Sequence, residues 1–214
     1  MRLPSKARIE EMGLNLEEMA AETDGLGPPD PEKLTDCRDG EVRPVLVYPN
    51  PRLRADTAHV IEFDDRVRKL VADLATTMYT VGGIGLAAPQ LGESERVFLV
   101  DILNGQPPQK GKPASQLLVA VNPQMWVIPG KMKRDAERCL SFPDVVELVT
   151  RPVQIILKAF NHRGKPYALG CGGDLARAIQ HEFDHLEGRL LVDHMDKKSV
   201  WNLKRRMSKN RTYR

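Results

Sequence analysis

A series of short apolar runs, closed by a helical stretch near the C-terminal end, leaves few folds open to this chain. Val97–Val100, Leu117–Val121, Met125–Ile128, Val145–Val149 and Val153–Phe160 read as strands, and the polar, glycine-containing turn Asn161–Lys165 leads into one more at Tyr167–Leu169. Ahead of them, Asp64 and Asp65 give an N-cap signal. Val67, Leu70, Val71, Leu74 and Met78 follow at helical spacing, and that helix is predicted to end near Gly82 and Gly83. A second helix is predicted from about Asp174 through Glu187, stopping at Gly188. Strands first and a helix late give an α+β domain in which this helix packs against a mostly antiparallel sheet.

The chain's 214 residues suffice for one domain with a substantial core. Its 41% hydrophobic and 29% charged residues are those of an ordinary soluble globular protein, which excludes a chain disordered throughout. No apolar run approaches the roughly 18 residues that a bilayer crossing needs, so no membrane partner is expected. The N-terminus lacks the apolar stretch of a secretory signal and is too acidic for an organelle transit peptide, so the expected location is the cytoplasm. Cys37, Cys139 and Cys171 form an odd set, which suits reduced thiols and leaves at least one free for chemistry.

The strongest chemical signal lies on the second helix. His181-Glu182-Phe183-Asp184-His185 sets two imidazoles four residues apart on one face, where both reach one metal ion. Glu182 follows the first of them directly, so it points to an adjacent face and can meet an activated water without ligating the metal, as a general base must. A catalytic site of this kind takes three protein ligands and keeps a position open. The longer pattern of metzincin peptidases would supply a third histidine, but Leu191 stands at that place although Gly188 fits. The residue types present leave Cys139, Cys171, Asp193, Asp196 and His194 as candidates for the third ligand, with Cys139 favoured by its setting in Glu137-Arg138-Cys139-Leu140-Ser141-Phe142-Pro143.

Three segments then resemble, in order, the signature motifs of peptide deformylases: Gly83-Ile84-Gly85-Leu86-Ala87-Ala88-Pro89-Gln90, Cys139-Leu140-Ser141, and Gln180-His181-Glu182-Phe183-Asp184-His185-Leu186-Glu187-Gly188. The likeness runs from about Val45 to Met195. It implies the family's fold, with the metal helix central, and its reaction, hydrolysis of the N-formyl group of nascent formyl-methionyl peptides with release of formate. It assigns the metal to Cys139, His181 and His185. Oxyanion donation falls to the Gln90 side-chain amide and the Leu140 backbone N–H, and a supporting ion pair to Glu137 and Arg151. Gly83 and Gly85, lacking side chains, let a peptide backbone approach, and Ile84 and Gly85 are expected to pair with an extended substrate as an added strand. The family implies Fe(2+) as the working metal, while the ligand set also suits Zn(2+), Ni(2+) or Co(2+).

One position departs from the pattern. Arg138 stands where the family usually has glycine, and it can crowd the approach to the metal or alter a loop whose dihedrals glycine would permit. Asp174 stands near where the family often has an apolar residue beside the methionine pocket. Two rival readings accompany the deformylase one: a metallopeptidase sharing the helix motif, and a non-catalytic peptide-binding relative made inert by Arg138.

The ends differ in charge. Residues 1–44 carry six basic and eleven acidic side chains, whereas residues 197–214 carry eight basic ones and no acid. In the first segment Ile9, Met12, Leu16 and Met19 fit a short amphipathic helix, and Pro28, Pro29 and Pro31 impose an extended linker. The expected organisation is a flexible acidic extension over 1–44, a catalytic domain over 45–196 and a basic helix or tail over 197–214. Val200, Leu203 and Met207 give that last element an apolar stripe, and the ribosome-made substrate that the resemblance implies makes ribosomal RNA phosphates the expected partner of its lysines and arginines. The protein is expected to be a monomer.

Overall fold

The computed structural model describes residues 39–105 and 116–207. The N-terminal helix and proline linker expected within residues 1–38 lie outside the described residues. Helix α1 spans Asp65–Thr80, and Asp64 caps it by accepting from the Arg66 and Val67 N–H groups. Strands follow at β1 Gly85–Ala87, β2 Val97–Val100, β3 Leu118–Val127, β4 Met132–Glu137, β5 Glu147–Pro152, β6 Gln154–Phe160 and β7 Pro166–Gly172. Helices α2, Gly173–Leu186, and α3, Lys197–Met207, close the chain.

Five strands form one antiparallel sheet in the order β1-β2-β3-β6-β7, and β4 pairs with β5 in a separate two-stranded sheet. Both faces of the larger sheet are covered. Leu86, Val97, Leu99, Val119 and Val121 meet Leu70, Val71, Leu74 and Met78 of α1, while Ala87, Phe98, Val100 and Ala120 meet Ala176 and Ile179 of α2. Successive side chains of a strand point to opposite faces, so a strand covered on both must be apolar at every position. That is why β2 reads Val-Phe-Leu-Val, and all four of its residues are fully buried. Full burial of side chains this size stabilises by about 1.5–3 kcal/mol each. A third core, with Leu53, Phe142, Val149, Leu190, Leu203 and Met207, lies where α3 meets the smaller sheet.

The structure corrects several strand boundaries. Leu117–Val121 and Met125–Ile128 are one strand, β3, whose register shifts between Val121 and Gln124. Pro123 sits in that irregularity, where no ladder N–H is needed. Asn122 there adopts a φ of 51° and exchanges two hydrogen bonds of 2.8 Å with the Val60 backbone. The strand expected at Val145–Val149 instead begins at Glu147 and extends to Pro152, because its partner is β4. Neither β4 nor the three-residue β1 stood out in the sequence.

Candidate active site

Helix α2 packs on the large sheet and also touches β5, and it carries His181 and His185 on the side facing the end of β4 and the loop after it. Cys139 lies two residues beyond the end of β4, with its Sγ 3.3 Å from His185 Nε2. One donor atom from each of Cys139, His181 and His185 lies within 4.8 Å of the others, and the imidazole rings stand edge to face at 5.3 Å. The other sequence candidates for a third ligand are engaged elsewhere. Cys171 is buried in β7, and that burial pushes its thiol up to about 12. Asp193 pairs with Arg54 at 2.7 Å, His194 Nε2 lies 3.0 Å from Asp184, and Asp196 caps α3 through Ser199 N–H.

The donor set fits a divalent cation. Burial opposes ionisation of Cys139, but the charges and hydrogen bonds of His185 and His181 outweigh it and bring the thiol down to about 5, so the metal-binding thiolate is the favoured form. Burial also opposes the charged form of His181, yet Cys139 and Glu137 hold its imidazolium well above the ordinary range. Binding of a cation by these residues would require loss of that proton. His181 Nδ1 lies 3.0 Å from Glu137 Oε2, which directs the other ring nitrogen toward Cys139, as a carboxylate behind a metal-ligating histidine does.

Glu137 has more partners than the expected Arg151. It accepts from Arg151 Nε at 2.7 Å and Nη2 at 2.9 Å, and also from Arg177 Nη1 at 2.6 Å. These bonds and His181 overcome burial and hold its carboxyl well below the usual carboxylate range. Arg151 continues to Asp184 at 2.9 Å. Arg177 was not singled out in the sequence, although its place one turn before His181 on the same helix face offered a signal.

Glu182 is buried, and its Oε2 has no hydrogen-bond partner among the described residues. Burial raises its carboxyl to about 7 against the opposing pull of the two imidazoles, a value suited to taking and returning a proton near neutrality. Gly85 has a further reason to be glycine besides the expected approach of a peptide backbone. A Cβ there would overlap the Glu182 carboxylate, with its carboxyl carbon only 2.8 Å away, so Gly85 makes room for the base itself. A Cβ on Gly83 would come within 3.0 Å of Leu140 Cδ1.

Gln90 is buried in the turn Ala88–Leu91 and oriented at both ends. Its Oε1 accepts from Ala87 N–H at 2.9 Å, and its Nε2 donates to Ser141 Oγ at 3.1 Å with Cys139 Sγ 3.7 Å away. Gly83, Ile84, Gly85, Gln90, Leu140 and His181 share the walls of one cavity of about 850 Å³. β1 is an edge strand of its sheet, and Ile84 beside it is 48% exposed. Arg138 is also exposed on the cavity wall, and it is not among the residues with positive φ, so its backbone has no need of glycine. Asp174 lies on the same wall and is exposed.

The profile of the polypeptide deformylase family matches residues 42–201. The chain belongs to the peptide deformylase family. Over 166 residues it is 39% identical to peptide deformylase 1 of Burkholderia multivorans, a match covering 77% of this chain and 87% of that protein. It is 41% identical over 152 residues to the peptide deformylase of Cellvibrio japonicus, covering 71% of this chain and 85% of the relative. The crystal structure of a peptide deformylase from Legionella pneumophila superposes with a TM-score of 0.70 at 35% identity, covering 79% of this chain and 95% of that one. Membership makes the chain a hydrolase of protein biosynthesis and implies a divalent metal, for which Cys139, His181 and His185 are the candidate site. Removal of the formyl group from nascent peptides is the family's reaction, and the comparisons do not favour the metallopeptidase and inert-relative readings. No helix among the described residues is long and apolar enough to cross a membrane.

Proposed function

We propose that this deformylase hydrolyses formyl-methionyl peptides with Cys139, His181 and His185 as its metal ligands, Glu182 as general base and acid, and Fe(2+) as the working metal. The observation that carries the reading is the burial of an unpartnered Glu182 oxygen beside three clustered donor atoms, at the foot of a cavity edged by β1. A bound divalent ion supplies Lewis acidity that activates water near neutral pH. Glu182 takes the water's proton as the water oxygen bonds to the formyl carbon. The Gln90 amide, aimed by Ala87 N–H, and the Leu140 backbone N–H donate to the developing oxyanion, and loss of one such donor costs on the order of 100- to 1000-fold in rate. Glu182 then returns the proton to the amine nitrogen as the C–N bond breaks, leaving formate and a free N-terminus. Main-chain pairing of the substrate with Ile84 and Gly85 at the sheet edge holds the peptide extended and tolerates varied sequences.

Thiolate–imidazole sites bind Zn(2+) more tightly than Fe(2+), with Ni(2+) and Co(2+) also accommodated, so the working metal is read only from protein prepared without oxygen. The protein acts in the cytoplasm as a monomer, and the exposed lysines and arginines of α3 dock it on ribosomal RNA. Metal analysis after anaerobic purification, coupled to formate release from formyl-Met peptides, tests the chemistry. Cys139→Ala is expected to lose both metal and turnover. A variant that keeps both would remove Cys139 from the site.

A further inference from the structure

The cavity carries charge on its rim that deformylation does not use. Glu137 is engaged by Arg151, Arg177 and His181, Asp135 pairs with Lys133 at 2.7 Å, and Glu182 interacts electrostatically with His181, His185 and Cys139. Arg138 differs from all of these. It lines the cavity, is exposed, and has no side-chain hydrogen bond or ion pair among the described residues. Alternation at the end of β4 accounts for its direction: Glu137 and Cys139 are buried on either side of it, which turns Arg138 outward. Two carboxylates share the rim. Asp144 is exposed with a φ of 61°, and Asp174 sits in the first turn of α2, where it offsets the helix's N-terminal partial charge. Of these three rim charges, Arg138 alone adjoins a candidate metal ligand in sequence.

A substrate whose formyl group reaches Cys139 and Glu182 advances about 3.3 Å per residue as an extended strand, so its next residues lie at the cavity mouth beside that guanidinium. We propose that Arg138 is a specificity-determining residue that favours formylated peptides with an acidic side chain at the second or third position, pairing its planar fork with their carboxylate. This rests on the deformylase reading and adds a preference that main-chain pairing at β1 cannot supply. An exposed ion pair contributes only a few-fold, so the expected preference in kcat/KM is about three- to fivefold.

The test measures formate release by metal-loaded, full-length protein on C-terminally amidated formyl-Met tripeptides with Asp, Asn or Lys at position two or three. The native protein should favour Asp over Asn through KM rather than kcat, with Lys below Asn, and the preference should shrink as salt rises. Arg138→Gln should bring the Asp-to-Asn ratio to about one, Arg138→Lys should keep a reduced preference because the charge stays but the planar fork is lost, and Arg138→Glu should invert it. Using the ratio cancels any general change in activity. Turnover of the Asn peptides with no Asp preference, or a preference that survives Arg138→Gln, overturns the proposal while leaving the deformylase reading intact. A preference for Lys that disappears in Asp174→Asn would overturn it in favour of Asp174. If no formylated peptide releases formate, the underlying reading fails and the proposal falls with it.

Discussion

At the scale of single residues, the closest constraint in the site is the contact of Glu182 with Gly85. Gly85→Ala is expected to keep metal, since none of the three ligands changes, but to push the carboxylate aside. A misplacement near 1 Å costs on the order of 100-fold in rate, and kcat/KM against metal content measures it. Glu182→Gln removes the proton acceptor without adding bulk, so turnover should fall by about 100- to 10,000-fold at unchanged metal content. An unchanged rate would exclude Glu182 as the base. The role proposed for Glu182 was legible in the sequence because it rests on its neighbour His181 and on helical geometry. The need for glycine at 85 was not, because the atom that excludes a side chain there comes from a distant part of the chain.

At the scale of elements, β4 shows how a strand can form without a hydrophobic pattern. Met132-Lys133-Arg134-Asp135-Ala136-Glu137 has four charged residues of six, yet every one of them pairs with a β5 residue. The inward positions of the two strands place Glu137, Val149 and Arg151 under α2, where all three are buried. Glu137 therefore ties β4, β5 and α2 together through Arg151, Arg177 and His181. Glu137→Gln leaves the buried Arg151 and the half-buried Arg177 undercompensated and should lower stability by about 3–5 kcal/mol, read from denaturant unfolding. It also loosens His181, so metal affinity should fall by about 10- to 100-fold, read by competition with a chelator. Normal stability with weakened metal binding would limit Glu137 to orienting the histidine. The continuity of β3 through Pro123 was equally hidden, since proline ordinarily ends a strand and only the irregular register opposite β6 accommodates it.

For the whole molecule, α3 carries the basic face proposed to meet ribosomal RNA. Leu203 and Met207 are buried in the same core as Cys139 and Phe142, so cutting the element away would open the core that holds Cys139, a proposed metal ligand. Ribosome docking is therefore better tested on its exposed side. Lys198→Glu, Lys204→Glu and Arg206→Glu together should weaken co-sedimentation with ribosomes and reduce the slope of its salt dependence by about 0.7–0.9 for each phosphate no longer neutralised. Identical binding by the native and charge-reversed proteins would show that this face does not dock. The sequence by itself determined the α+β class, the limits of α1 and α2 and the paired histidines, because caps, helical spacing and glycine stops act over a few residues. Only the tertiary structure closed the choice between Cys139 and Cys171 that residue type and spacing left open, added Arg177 to the expected Glu137–Arg151 pair, and fitted Gly85 against Glu182. These are contacts between residues far apart in the chain, fixed by which strands pair and which faces they bury, and no local pattern records them.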